Sequence, residues 1–317
     1  MSNPTSSHYF KIAGHKVGIS FAPSQQNSIA LLPSFEPFRT EPAGEECQHL
    51  ATAQPEGLLL TLHVDDSLRP AKDRQLLRTF DTGNGDTVVY TLGDGGYQFV
   101  IRDIADRDCC LLITNADFSE CRCALNGDYA MRAFGLNDAM MLAYAFAASF
   151  HQTLLTHASC VAYGGKGYPF IAKSGTGKST HSSLWMKHIE GTELMNDDNP
   201  VVRIEDGTPR IYGSPWSGKT PCYRNISRPL GAVVQIERGA ANSIERLNPI
   251  QALAVLLPAC STMKWDKTVY DNLCTTLATL ISTTPVYTLH CLPDEEAARL
   301  CNATVAGRQG GLRALRS

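Results

Sequence analysis

Short segments in which apolar and polar residues alternate dominate the first part of the chain. His8–Ile12, Lys16–Ala22, Leu58–Val64, Thr87–Leu92, Tyr97–Ile104 and Cys110–Thr114 each read as strands. Gly83-Asn84-Gly85-Asp86 and Gly93-Asp94-Gly95-Gly96 are turn signals between them, and the Pro-rich stretch from Pro33 to Pro42 reads as a loop. The pattern changes at Leu136. From there to Phe150 the chain is Ala-rich and apolar nearly all round, which predicts a buried helix with Asn137 or Asp138 capping its start. The run is too short for a bilayer, where roughly 20 residues are needed.

Beyond that helix, Thr153 to Tyr163, a turn at Gly164-Gly165-Lys166-Gly167, and Tyr168 to Ala172 predict a β-hairpin. Its second strand feeds the glycine-rich turn Lys173-Ser174-Gly175-Thr176-Gly177-Lys178-Ser179-Thr180. A helix follows from about Ser179 to Ile189, with Leu184, Trp185 and Ile189 on its buried side, and then a short strand ending in Asn196-Asp197-Asp198. Leu230–Ile236 reads as a buried strand, Gln251–Ala259 and Lys267–Ser282 as covering helices, and Met263, Trp265 and Tyr270 as core. The expected organisation is α/β, with a β-rich N-terminal domain over residues 1–130, a second domain over 131–303 and a flexible tail over 304–317.

Charge narrows the chemistry. With 28 Lys and Arg against 31 Asp and Glu, the formal charge is −3, so no general basic field exists to hold nucleic acid or an anionic membrane. Phosphate chemistry has to use a local site. The 11 cysteines are scattered and odd in number, which argues against a disulfide framework. Cys109-Cys110 and Cys121-x-Cys123 lack the paired knuckles of a zinc site, and His181 and His188 stand two helical turns apart, too far to clasp one ion. The thiols, with an N-terminal stretch that has no apolar signal core, predict a cytoplasmic protein.

The strand, glycine turn and helix form a setting that phosphate binding requires. Gly175 and Gly177 allow backbone angles and close approach that let successive N–H groups converge on phosphate oxygens, and the helix N-terminus adds positive potential. Lys178 can reach the β- and γ-phosphates, and the Ser179 hydroxyl suits Mg²⁺. Ala172 stands where the usual pattern opens with Gly, a mild departure that still leaves room. Adjacent strand residues face opposite ways, so Asp197 and Asp198 should divide two tasks, one holding metal and the other acting as general base. Downstream, the loop from Tyr212 to Asn225 offers Lys219 and Arg224 as an acceptor site or phosphate clamp, or as solvated charges, and Arg203 is a further cation within reach.

In order and spacing, Thr156-His157-Ala158-Ser159, the Ser174 to Thr180 turn and Asn196-Asp197-Asp198 together resemble the C-terminal catalytic domain of HPr kinase/phosphorylase. That superfamily also contains ATP-dependent phosphoenolpyruvate carboxykinase. The resemblance implies a mixed-sheet P-loop kinase domain that uses ATP and Mg²⁺. It places His157 near the γ-phosphate or metal, Lys178 on phosphate, Ser179 on Mg²⁺, Asp197 as catalytic base and Asp198 at the metal. Ser174, Gly175, Thr176, Gly177 and Thr180 complete the nucleotide loop. Thr180 is closer to the carboxykinase version, and the N-terminal half does not resemble that of the HPr kinases. The implied function is transfer of a γ-phosphoryl group to a hydroxyl, a serine in a peptide, protein or small metabolite. The alternatives are a nucleotide-binding regulatory protein without transfer, or phosphorolysis of a phosphoserine. No nucleic acid or membrane partner is expected, and the N-terminal domain is available for presenting substrate, for scaffolding or for assembly as a homo-oligomer.

Overall fold

In a computed structural model that describes residues 6–41, 57–81, 85–173 and 175–307, the alternating segments do form strands. The first compact unit, Met1–His151, contains β1 (Ser6–Ile12), β2 (His15–Phe21), β3 (Arg39–Thr40), β4 (Leu58–Val64), β5 (Gln75–Asp81), β6 (Asp86–Thr91), β7 (Tyr97–Arg102), β8 (Asp108–Thr114) and β9 (Glu120–Leu125). They make one nine-stranded sheet in the order β3-β1-β2-β4-β9-β8-β7-β6-β5. β5 carries no clear alternation because it is an edge strand exposed along nearly its whole length. β9 is hidden by its cysteines: Cys121 and Cys123 are the inward residues of its alternation, and both are buried core. Within the Pro-rich stretch, Pro33–Phe38 is a short 3-10 helix that buries Phe35 and Phe38 rather than a plain loop.

Helix α1 (Tyr129–Ser149) starts earlier than expected. The Asp128 side chain, not Asn137 or Asp138, accepts from the Met131 N–H at 3.0 Å and caps the first turn. Asn137 and Asp138 lie inside the helix, where burial pushes the Asp138 carboxyl up to about 6. A helix apolar nearly all round needs cover, and α1 finds it against β4, β7, β8 and β9. The helix expected to open the second domain therefore belongs to the first unit, and the division falls between His151 and Gln152 rather than at residue 130. Arg132 secures its start, donating to Asp66 and Asn27 at 2.8 Å each and to the Gly127 carbonyl at 3.0 Å.

The second unit, Gln152–Ser317, holds β10 (Thr153–Leu155), β11 (Ala158–Tyr163), β12 (Lys166–Ile171), α2 (Lys178–His188), β13 (Glu193–Asp198), β14 (Val201–Glu205), β15 (Thr208–Tyr212) and β16 (Ser227–Pro229). It continues with β17 (Val233–Arg238), β18 (Ser243–Arg246), α3 (Pro249–Leu256), α4 (Lys267–Thr283), β19 (Val286–Cys291) and α5 (Glu295–Val305). A four-stranded sheet runs β10-β14-β15-β16 and a six-stranded mixed sheet runs β13-β11-β12-β17-β19-β18. β12, β17 and β19 are parallel neighbours. Their period-two alternation separates two cores. Phe170, Val234 and Ile236 pack with Trp185 of α2 and Ala298 and Cys301 of α5, whereas the adjacent Ile171 and Val233 pack with Leu256 of α3 and Leu273, Leu277 and Leu280 of α4.

This is a mixed α/β, sheet-rich architecture, with the expected hairpin and the helices near their expected positions. α5 carries helix two residues into the expected tail, and residues 308–317 lie outside the described set. Among the described residues, no helix is long and apolar enough to cross a membrane.

At Gly135, α1 lies close against β8. A Cβ there would come within 2.9 Å of the Cys109 carbonyl and of the Cys110 Cβ. Gly135→Leu should therefore destabilise the protein by about 1–3 kcal/mol through overpacking, read as a lowered urea midpoint. An unchanged midpoint would remove α1 packing as the constraint on this position.

Candidate functional site

The segment from Thr153 to Tyr163, expected as one strand, divides at Thr156-His157 because its halves serve different sheets. β10 pairs with β14, Leu155 opposite Val201, while β11 lies between β12 and β13. The break is held by backbone bonds from the Thr156 N–H to the Pro200 carbonyl at 3.0 Å and from the His157 N–H to the Ala259 carbonyl at 2.7 Å. Ala158 then pairs with Ile171 of β12 on one side and with Asp198 of β13 on the other. The start of β11 and the carboxyl ends of β12 and β13 consequently share one edge of the sheet. The parallel register, Arg238 opposite Cys291, brings the ends of β17 and β19 to the same edge.

The glycine-rich turn leaves β12 at this edge. Gly175 has φ +75° and Gly177 φ +127°, left-handed conformations that a side chain would strain. Gly177 is the N-cap of α2 and no side chain caps it, so the first-turn amides of Lys178, Ser179 and Thr180 have no capping acceptor. Ser174 lies outside the described residues. The Ser179 and Thr180 side chains are exposed. Behind the turn, Arg238 donates from Nη2 to the Gly175 carbonyl at 3.0 Å.

Helix α2 is held by one bond within the helix and two contacts to the strands beneath it. Trp185 donates its indole N–H to His181 Nε2 at 3.1 Å, the Phe170 and His181 rings meet edge to face at 4.7 Å, and the Ser159 and Ser182 hydroxyls share a 2.6 Å hydrogen bond. Burial pushes His181 down to about 4. His188 is at the other end of α2, 3.2 Å from Glu295, so the two histidines serve separate purposes.

Three of the expected residues form one chain of contacts. Lys178 Nζ lies 2.8 Å from His157 Nε2, and His157 Nδ1 lies 3.1 Å from Asp198 Oδ1. An ammonium can only donate, so Nε2 accepts and the imidazole carries its proton on Nδ1, directed at the carboxylate. Burial holds His157 below its ordinary range, with Asp198 opposing and Lys178 adding to the effect. Burial likewise lowers Lys178, and both Asp198 and Asp197 oppose it, so each carboxylate acts on the same ammonium. The expected separation of the two aspartates onto opposite faces is softened by Asp198, whose φ of 129° departs from strand geometry.

Asp197 is buried, and among the described residues its carboxylate has no hydrogen-bond partner, whereas Asp198 also receives the Asn199 side-chain amide at 3.0 Å. The loop after β15 is tied to this pair. The Gly218 N–H donates to the Asp197 carbonyl, and the Ser217 hydroxyl does so at 3.0 Å. Lys219, whose side chain is exposed, follows Gly218 directly, so its backbone is brought beside the pair. Arg224 and Arg203 are not: Arg224 donates to the Leu194 carbonyl and pairs with Glu193 at 2.9 Å at the opposite end of β13, and Arg203 sits 3.7 Å from Glu205, opposite Thr153.

Two participants were given no role by the sequence, although Asn196 stands in the Asn196-Asp197-Asp198 motif. Arg238 lies 63 positions from the glycine whose carbonyl it holds. Asn196 is fully buried and donates to the carbonyls of Ser214, Trp216 and Cys222 while accepting from the Asn199 N–H, which makes it the tie between loop and carboxylates. Among the described residues, no group of three or more His, Cys, Asp and Glu could hold a metal ion. Chemically, the edge offers unfilled amide donors and an ammonium on one strand end and two carboxylates on another.

No protein-family model matches this chain, and no curated protein matches it in sequence. Among solved structures it is similar to the Hpr(Ser) kinase/phosphatase from Coxiella burnetii, at 13% identity over 49% of this chain and 95% of that chain, with a TM-score of 0.29. A likeness at that level is too weak to assign a function, which has to come from the geometry of this chain.

The buried His181 gives a pH signature. Its pKa falls from 6.5 unfolded to about 4 folded, so the unfolded chain binds the extra proton first and stability is lost as pH falls through that window. The contribution should drop by roughly 2 kcal/mol between about pH 7.5 and about pH 5. His181→Gln, which keeps an acceptor for Trp185, should flatten that dependence in urea titrations. Equal slopes for both proteins would show that His181 does not titrate in this way.

Proposed function

We propose that this chain is an ATP-dependent kinase that transfers a γ-phosphoryl group to a hydroxyl, a serine in a peptide, a protein or a small metabolite. The observation that carries this reading is one sheet edge on which the uncapped first turn of α2 and Lys178 stand across His157 from Asp197 and Asp198. Three N–H groups without a side-chain acceptor, beside an ammonium, fit a polyphosphate. For Mg²⁺, Ser179 and Asp198 are two oxygen donors of the right kind. Bound there, the nucleotide with its ion supplies the phosphoryl group and neutralises part of its charge.

The chain's own groups divide the remaining work. Gly175 and Gly177 shape the turn, and Lys178 aligns the transferring group and offsets its charge. His157 holds Lys178 and Asp198 at fixed positions through its two ring nitrogens. Because Asp198 is engaged by His157 and Asn199 while Asp197 has no such partner among the described residues, Asp197 is the residue that accepts the hydroxyl proton. On this reading Lys219, on the loop bonded to Asp197, serves the acceptor.

Lys178→Ala should abolish nucleotide-dependent turnover. Asp197→Asn should lower transfer by roughly 10²- to 10⁴-fold while ATP affinity stays within about threefold. Both are checked with labelled ATP and Mg²⁺ against free serine, peptide pools and lysate. Full turnover by either variant contradicts the scheme, and ATP binding with no transfer by the unaltered chain favours the regulatory alternative.

A further inference from the structure

The loop between β15 and β16 lies directly on the two aspartates. A Cβ at Gly218 would come within 3.1 Å of the Asp198 Cβ and 3.3 Å of the Asp197 carbonyl oxygen. A larger residue would hold the loop off the pair, so the glycine is what lets it settle there. Ser217 fixes the stretch that follows. Its single hydroxyl hydrogen is shared between the Asp197 carbonyl at 3.0 Å and the Thr220 carbonyl at 2.7 Å, and the oxygen accepts from the Cys222 N–H at 3.2 Å. One side chain thereby closes the turn from Ser217 to Cys222 and ties it to the strand end that carries the proposed base.

The hydroxyls of this region are not equivalent. Ser217 is committed to holding the turn. Thr220 is exposed, and among the described residues its hydroxyl has no hydrogen-bond partner. Its backbone nevertheless stands only one shared hydroxyl away from that of Asp197. Elsewhere along the edge, Thr156 donates to the Pro200 carbonyl at 2.8 Å, and Ser159 and Ser182 are bonded to each other. Ser179 and Thr180 belong to the first turn of α2, on the phosphate side of the edge rather than the carboxylate side. An uncommitted nucleophile on the carboxylate side is thus supplied by the chain itself.

We propose that Thr220 is a self-phosphorylation site, the acceptor within the same chain when no external hydroxyl occupies the edge. The inference rests on the kinase reading and adds a named acceptor to it. Thr220 Oγ1 attacks the γ-phosphorus of bound MgATP, the bond from that phosphorus to the β–γ bridging oxygen breaks, and ADP leaves with the electron pair. The hydroxyl proton passes to the Asp197 carboxylate. The product is a phosphothreonine, and Lys219, the residue before it, supplies a cation beside the new dianion.

The full chain, incubated with Mg²⁺ and γ-labelled ATP and no added acceptor, should take up about one phosphoryl group per chain, mapped by mass spectrometry to Thr220. ATP labelled at the α-phosphate should leave none. Because donor and acceptor sit in one chain, the fraction labelled per unit time should hold steady over about a tenfold range of protein concentration. Thr220→Val keeps the shape of an exposed residue, so it should fold normally, bind ATP within about threefold of the unaltered chain and lose the label. Thr220→Ser should retain it, and Asp197→Asn should slow it by roughly 10²- to 10⁴-fold. Label at another residue overturns the inference, as does label kept by Thr220→Val, self-labelling at the full rate by Asp197→Asn, or labelling that quickens with protein concentration. A chain that phosphorylates added serine, peptides or lysate proteins but never itself also overturns it, and leaves the kinase reading standing. If label reaches nothing, the chain included, the kinase reading fails and takes this inference with it.

Discussion

The double pairing of Ala158, with Ile171 on one side and Asp198 on the other, is the constraint on which the site depends. Ala158 has no chemistry and no exposure, yet its register decides which residues meet. Strand side chains alternate, so a slip of one residue would send the buried set of β11 to the wrong core and turn the carboxylates away from the glycine turn. Both cores of the second unit enforce the register, because Cys160 belongs to one and Val161 to the other. The geometry of the site is thus maintained by apolar packing on both faces of the sheet rather than by the polar contacts at its edge.

Those polar contacts settle a different matter, the cost of keeping unlike charges partly out of water before any ligand arrives. Lys178 is pulled down by burial and held up by two carboxylates, with a neutral imidazole as its hydrogen-bond acceptor. Asp198 is kept in an unusual backbone conformation by neighbours that over-determine it: the bridge to Ser217, the Asn199 amide, and Asn196 beneath. Residual strain of this kind costs on the order of 1–3 kcal/mol and persists only where the surroundings impose it.

Locally encoded features were legible in the sequence. The glycine turn, the helix after it and the aspartates at a strand end are all signalled within short stretches of chain, and the structure joins Lys178 to Asp198 through His157. What could not be read depends on long-range pairing. Nothing near Arg238 announces its bond to Gly175, and Arg224, a plausible clamp by composition, is taken up by Glu193 once β13 is formed. Thr153 to Tyr163 reads as one continuous strand because hydrophobic periodicity cannot register that its halves join different sheets. The start of α1 is misplaced for the opposite reason: Asp128 caps it through a single local bond, while the more apolar run downstream points to Asn137 and Asp138.

In the first unit, β4 has parallel partners on both sides, β2 and β9, and it joins the β1–β2 hairpin to the β5–β9 meander. Parallel pairs form slowly because their loops must close first. During synthesis the hairpin can assemble as soon as it emerges, and so can each later antiparallel step. β4, with Leu59, Leu60, Leu62 and Val64 buried in the finished sheet, has to wait for a strand made some sixty residues later. Until β9 is made, the side of β4 that β9 covers is an open row of N–H and C=O groups, a template for pairing with another chain.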